Sequence, residues 1–177
     1  MSNFFMHAPA EILLSEAQIQ KRVAELGGEL RRDFPQGLHL VAVLKGAFVF
    51  LSDLVRHMPG DLSLDFIALA SYAQGTTSSG EVRLVSDLDM AIDGRNVVIV
   101  EDIVDTGKTL LYLQDILRAR NPRSLSTACL LDKPSRRQVT VRVDYIGFTI
   151  EDRFVVGYGL DHAERYRNLP DIRVLET

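Results

Sequence analysis

With 177 residues, 46% apolar and 25% charged, the chain has the size and composition of one globular domain, residues 1–177, with a core of its own. A net charge of −4 excludes bulk nucleic-acid binding, because Arg31-Arg32 and Arg136-Arg137 read as solvated surface doublets and make no basic stripe. The single cysteine, Cys129, excludes an internal disulfide framework and fits a reducing compartment.

His7, His39, His57 and His162 have none of the spacings of a zinc site. No basic segment followed by a long apolar run opens the chain, so no signal peptide is expected. The longest apolar stretch, Leu38 to Leu51, is broken by His39, Lys45 and Gly46, too interrupted for a membrane span. A cytoplasmic protein without membrane contact is expected.

Ser15 followed by Gln18 is a capping-box pattern, and Ile19, Val23, Leu26 and Leu30 recur at helical spacing behind it. That helix should end near Phe34-Pro35. Leu38 to Leu44 reads as a buried strand, broken by Lys45-Gly46, and Ala47 to His57 as a helix. Leu62 to Ala70 reads as a strand with Leu64, Phe66 and Ala68 on one face. Ser71 to Gly80 is small and polar with little to bury, which suits a loop tip or a functional lid. Glu81 to Ser86 resumes strand alternation.

Val97 to Val100 is a short β-branched run that ends in a paired acid, Glu101 and Asp102. A loop of small residues follows, Asp105-Thr106-Gly107-Lys108-Thr109, then a helix with Leu110, Leu113 and Leu117 on one face. The strand Ser124 to Leu131 completes a β-α-β unit and makes Cys129 a buried thiol, not a nucleophile. Tyr145 to Phe148 and Phe154 to Val156 add short β-like pieces.

Strands alternating with helices imply an α/β domain around a mainly parallel sheet. Ligands of such sheets bind beyond the carboxyl ends of the strands. Lys45-Gly46, Glu101-Asp102 and Asp132-Lys133 all follow expected strands, so they should converge on one edge.

The order strand, acid pair, loop, helix suits a phosphorylated sugar. A helix N-terminus offers unpaired N–H groups and the positive end of its dipole to a phosphate. Carboxylates just before it can face sugar hydroxyls or a magnesium ion, which takes hard oxygen ligands. A Walker A loop would need glycine where Asp102 stands, and a dinucleotide fingerprint needs three spaced glycines where only Gly107 is present. A plain β-turn-α unit has no need of two adjacent acids before Asp-Thr-Gly-Lys-Thr.

Residues 97–109 resemble the phosphoribosyl pyrophosphate (PRPP) motif of the type I phosphoribosyltransferases. Leu44-Lys45-Gly46, Ser71-Tyr72, that motif, Leu131-Asp132-Lys133-Pro134 and the run from Phe154 to Asp161 follow in order. Together, over roughly residues 40–170, they resemble the hypoxanthine-guanine phosphoribosyltransferases of purine salvage. The resemblance implies an α/β fold with a mainly parallel central sheet flanked by helices, a small base-binding hood and a mobile lid loop. It implies transfer of the 5-phosphoribosyl group from PRPP to hypoxanthine or guanine, giving IMP or GMP and pyrophosphate. Mg2+ and a homodimer or homotetramer are implied with it.

The resemblance also assigns roles. Asp105 is the acid/base at the purine N7, and Thr106, Gly107, Lys108 and Thr109 hold the 5′-phosphate. Glu101 and Asp102 orient ribose hydroxyls and a magnesium ion, while Lys45-Gly46 and Arg167 meet pyrophosphate. Unusual backbone geometry is expected at Lys45-Gly46, where the family has a non-proline cis peptide. Lys133 faces the purine 6-oxo group, Phe154 stacks on the base and Val155 offers backbone hydrogen bonds to its edge. Asp161 is counted with the purine-binding residues and is expected to hold a second magnesium on pyrophosphate, and Ser71-Tyr72 opens the lid.

A xanthine-preferring relative shares this chemistry and differs only at the base edge. Adenine is disfavoured, since Lys133 would face an amino donor. RNA-binding regulators share the fold, but they want a basic face and carry another residue where Asp105 stands.

Overall fold

The computed structural model describes residue 9, residues 11–71 and residues 82–176. Helix α1 (Glu16–Asp33) begins as its capping box dictates. The Ser15 hydroxyl accepts the Gln18 N–H, and the Gln18 side chain accepts the Ser15 N–H at 2.9 Å. Ile19, Val23, Leu26 and Leu30 form its buried stripe, and the helix stops at Phe34 ahead of Pro35. Each such side chain stabilises the fold by about 1.5–3 kcal/mol on burial.

Six strands form the main sheet in the order β4-β3-β2-β5-β6-β7. Strand β2 (Leu38–Leu44) runs parallel to both β3 (Leu62–Ser71) and β5 (Asn96–Val104). Strand β6 (Ser124–Asp132) is parallel to β5, and β7 (Tyr145–Thr149) is parallel to β6. Only β4 (Val82–Ser86), on the edge, runs antiparallel. Helices α1 and α2 (Phe48–Arg56) cover one face of the sheet, burying Phe50 and Leu54 with Leu40 and Val98. Helix α3 (Lys108–Arg118) covers the other, packing Leu110, Leu113 and Leu117 with Val41 and Ile99. Cys129 is buried in β6, and burial pushes its thiol pKa well up, so it is held as the unreactive thiol.

A second sheet of three short antiparallel strands joins β1 (Glu11–Leu14), β9 (Ile172–Val174) and β8 (Val155–Val156) in that order. Among the described residues no helix is long and apolar enough to cross a membrane.

Two expectations are corrected, the end of strand β5 and the place of the cis peptide bond. Strand β5 does not end at Val100 but continues to Val104, with Glu101 opposite Cys129 and Ile103 opposite Leu131. The acid pair therefore lies inside the strand. In β3, Leu64 and Phe66 share the outward face, 42% and 37% exposed, while Asp65 and Ile67 point inward. Asp65 is tolerated inside because its carboxylate accepts the N–H groups of Phe66, Asp89 and Met90 at 2.8–2.9 Å. The cis peptide bond joins Leu44 to Lys45, one bond ahead of the Lys45-Gly46 pair.

Candidate active site

Because β2, β5 and β6 are parallel neighbours, their carboxyl ends share one edge. That edge brings Lys45-Gly46, the Glu101–Val104 stretch and Asp132-Lys133 together. A wider hollow of about 420 Å³ lies at the opposite edge, around His39, Ser63 and Arg95, away from all of them.

The loop from Asp105 to Gly107 leads into α3. Gly107 adopts φ +85°, a left-handed turn, and a β-carbon there would meet Val141 at 2.9 Å. It offers no capping side chain, so the N–H groups of the first turn of α3 stay available, apart from a long 3.4 Å contact from Lys108 N–H to Thr106 Oγ1. A cavity of about 100 Å³ opens at this point, lined by Glu101 and by Val104 to Gly107 with Thr109.

Glu101 and Asp102 are both interior carboxyls. Burial pushes the Glu101 pKa well above the usual carboxylate range, and the neighbouring Asp102 charge adds to it. Asp102 is pushed up to about 6 by burial, and Asp161 pushes in the same direction. The Ile103 and Asp102 N–H groups and the Arg167 guanidinium oppose that rise. Ile103 N–H donates to Asp102 Oδ1 at 2.7 Å. Two buried carboxyls held near each other favour either protons or a cation.

Facing this pair is a second charged group. Arg167 donates to Asp161 at 2.7 Å and to the Gly159 carbonyl at 2.8 Å, and its Nε is buried with no partner among the described residues. Asp161 also accepts the Glu164 N–H at 2.8 Å, and Glu164 reaches Lys45 Nζ at 3.0 Å. Lys45, Asp161 and Arg167 are thus linked through Glu164 and the Asp161–Arg167 ion pair. Glu164, which ties them together, carries no sequence signal.

On the other flank Lys133 is buried, and its ammonium donates to the Arg153 carbonyl at 2.6 Å. Phe154 follows, 44% exposed and edge-on to His162 at 5.4 Å between ring centres. Val155 is buried in β8, where its pairing with Val174 holds the strand. Asp105 forms an ion pair with Arg136, Nε to Oδ1 3.1 Å, and Arg136 also reaches Asp152 at 3.4 Å. Arg136 stays exposed, as expected of a surface cation, whereas that reading is overturned for Arg137, which donates to the Val104 and Asp105 carbonyls and to the Asp132 carboxylate. A signal lay in its place, four residues beyond Lys133. Ser71 closes β3, whereas Tyr72 and the rest of the expected lid lie outside the described residues.

A model of the phosphoribosyl transferase domain matches residues 9–163. The chain belongs to the phosphoribosyltransferase family. It is 48% identical over 171 residues to the hypoxanthine-guanine phosphoribosyltransferase of Bacillus subtilis, covering 96% of this chain and 95% of that one. It is 45% identical to the hypoxanthine phosphoribosyltransferase of Escherichia coli K12, covering 94% and 96% of the two chains. The crystal structure of a hypoxanthine-guanine phosphoribosyltransferase from Bacillus anthracis superposes with a TM-score of 0.91 at 46% identity, covering 96% and 100%. The edge thus carries open N–H groups at the start of α3, the cations Lys45 and Arg167, and the buried acid pair.

Proposed function

We propose that the chain moves the 5-phosphoribosyl group from PRPP to hypoxanthine or guanine in purine salvage. The observation that carries the choice of base is Lys133, a buried ammonium anchored on the Arg153 carbonyl beside Phe154. An ammonium only donates, so it favours a 6-oxo acceptor over the 6-amino group of adenine. The relatives named for hypoxanthine and guanine support the same reading.

Bond making joins a purine nitrogen to the anomeric carbon as the bond to pyrophosphate breaks, with positive charge building on the sugar. Catalysis is then mainly positioning and electrostatics. The loop from Asp105 to Thr109 holds the 5′-phosphate, and Lys45, Gly46 and Arg167 hold pyrophosphate. Phe154 stacks on the base and Val155 supplies backbone hydrogen bonds to its edge. Asp105 takes the N7 proton and returns it in the reverse direction, which requires the base to displace Arg136 from its carboxylate.

Magnesium fits this edge: Glu101 and Asp102 are buried acids whose pKa values are raised, and Asp161 is a third carboxylate nearby. The described residues hold no ready-made cluster of three ligands, which suits an ion that keeps waters and completes its shell from substrate oxygens. When bound it would neutralise charge on departing pyrophosphate.

The same reading takes the chain as one domain acting in the cytoplasm, with Ser71-Tyr72 opening a lid. A homodimer or homotetramer is part of it. Leu44, Phe48 and Phe66, each 37–44% exposed, line an apolar hollow with Lys45 and Arg167, a face that a second copy would cover.

Incubation with PRPP and magnesium, with hypoxanthine, guanine, xanthine, adenine and uracil in parallel, tests the reading. IMP and GMP are expected, with no AMP. Dominant xanthine use would move the assignment to a xanthine-preferring enzyme, and no product with any base would remove it.

A further inference from the structure

We propose that Arg137 is a positioning residue that turns the peptide groups of the phosphate loop toward the phosphate. Its guanidinium donates from Nη1 to the Val104 carbonyl at 2.6 Å and to the Asp105 carbonyl, and from Nη2 to Asp132 Oδ1. Gln138 N–H donates to the Thr106 carbonyl at 3.0 Å, and Lys133 N–H to the Val104 carbonyl at 3.0 Å. Three successive carbonyls, those of Val104, Asp105 and Thr106, are therefore committed to residues 133–138.

The consequence follows from peptide planarity. In a trans peptide the N–H of the next residue points opposite to the carbonyl. Holding these carbonyls on one side turns the N–H groups of Asp105, Thr106 and Gly107 to the other. Three consecutive N–H groups on one side make a concave anion site, which α3 extends with its first turn. The cavity lined by Asp105, Thr106, Gly107 and Thr109 opens on that other side, since none of residues 133–138 lines it.

Arginine suits the task because its planar fork reaches several acceptors at once and cannot lose its proton. Asp132, 7% exposed, neutralises the charge that would otherwise be buried alone. The turn that carries Arg137 also carries Lys133 and Arg136. One short segment thus touches the expected base site, the Asp105 carboxylate and the backbone of the phosphate loop.

The inference rests on the loop being the 5′-phosphate site, so its test reads phosphate binding as well as turnover. Deleting Arg137 alone would strand Asp132, so the comparison is Asp132→Asn against the double variant Asp132→Asn with Arg137→Met. Both lack the ion pair, and only the double variant lacks the carbonyl clamp. Ribose 5-phosphate is titrated by calorimetry, and KM for PRPP and kcat are measured on the same preparations.

Relative to Asp132→Asn, the double variant is expected to bind ribose 5-phosphate roughly tenfold more weakly and to need roughly tenfold more PRPP. Its kcat should stay within about threefold, because the clamp acts in ground state and transition state alike. Arg137→Lys keeps the charge without the fork and should fall between. Equal ribose 5-phosphate affinity in a cooperatively melting double variant would overturn the clamp. If the double variant does not fold, unchanged affinity in Arg137→Lys does so. A wild type that ignores ribose 5-phosphate overturns the phosphate-site assignment and the clamp with it. A wild type that binds it but transfers to no purine overturns the base assignment alone and leaves the binding comparison to decide the clamp.

Discussion

The backbone of Gly46 lies so close to the Asp102 carboxylate that a β-carbon on it would stand 1.5 Å from Oδ2. The loop after β2 and the acid pair of β5 are in contact, and only hydrogen at this position permits it. Gly46→Ala should displace Asp102 and push the two strand ends apart. Overpacking of this kind costs about 1–3 kcal/mol. A lower melting temperature together with a raised KM for PRPP is expected; a variant matching wild type in both would mean that the contact gives way freely.

Asp105→Asn keeps the shape of the side chain but cannot accept a proton. We expect kcat to fall by roughly ten- to a thousand-fold, with PRPP affinity changed only a few-fold. The lost ion pair with Arg136 is exposed and should cost under about 1 kcal/mol of stability. Steady-state kinetics and a thermal melt check the two parts separately, and wild-type turnover would remove Asp105 from the chemistry.

Lys133→Ala should raise the purine KM by roughly one to two powers of ten, since a hydrogen bond to a charged donor is worth about 1.5–3 kcal/mol. PRPP affinity should be nearly unchanged. The reverse pattern, a lost PRPP affinity and an unaltered purine KM, would assign Lys133 to the other substrate.

The buried acids set a pH dependence. Asp102 is pushed up to about 6 and Glu101 is raised as well, so both bind protons more tightly folded than unfolded. The metal-free protein should therefore lose stability as pH rises from the ordinary carboxylate range, near 4, through about 6 and beyond. A loss of about 1–3 kcal/mol is expected from this source. Melts with chelator between pH 5 and 8 test it, and Glu101→Gln should flatten the slope. Magnesium with PRPP should reverse it, because the ligands need the acids ionised. An unaltered slope in Glu101→Gln would put the pH dependence elsewhere.

Local chemistry made the start of α1, strand β2 and the loop before α3 legible, because a capping box, a largely apolar run and a small-residue turn each act over a few residues. The end of β5 was hidden because an acid doublet ordinarily marks solvent, whereas here it is carried inward by pairing with β6. Alternation in β3 separates two faces but does not say which is inside; Asp65 finds three N–H donors there, and that depends on residues after β4. Arg137 looks like a surface cation until the turn beyond β6 folds back on the loop before α3. Strands β1 and β9 are short and gain their order from each other, across most of the chain.

That last pairing sets an order of events in folding. The phosphate loop belongs to the continuous segment β5-α3-β6, whose contacts close over short distances along the chain. The strand next to Phe154 is finished only when Glu11 meets Val174, a closure across most of the chain and entropically among the slowest to form. The base-side strand thus depends on the two ends of the described chain meeting, whereas the loop before α3 is framed by neighbours close in sequence.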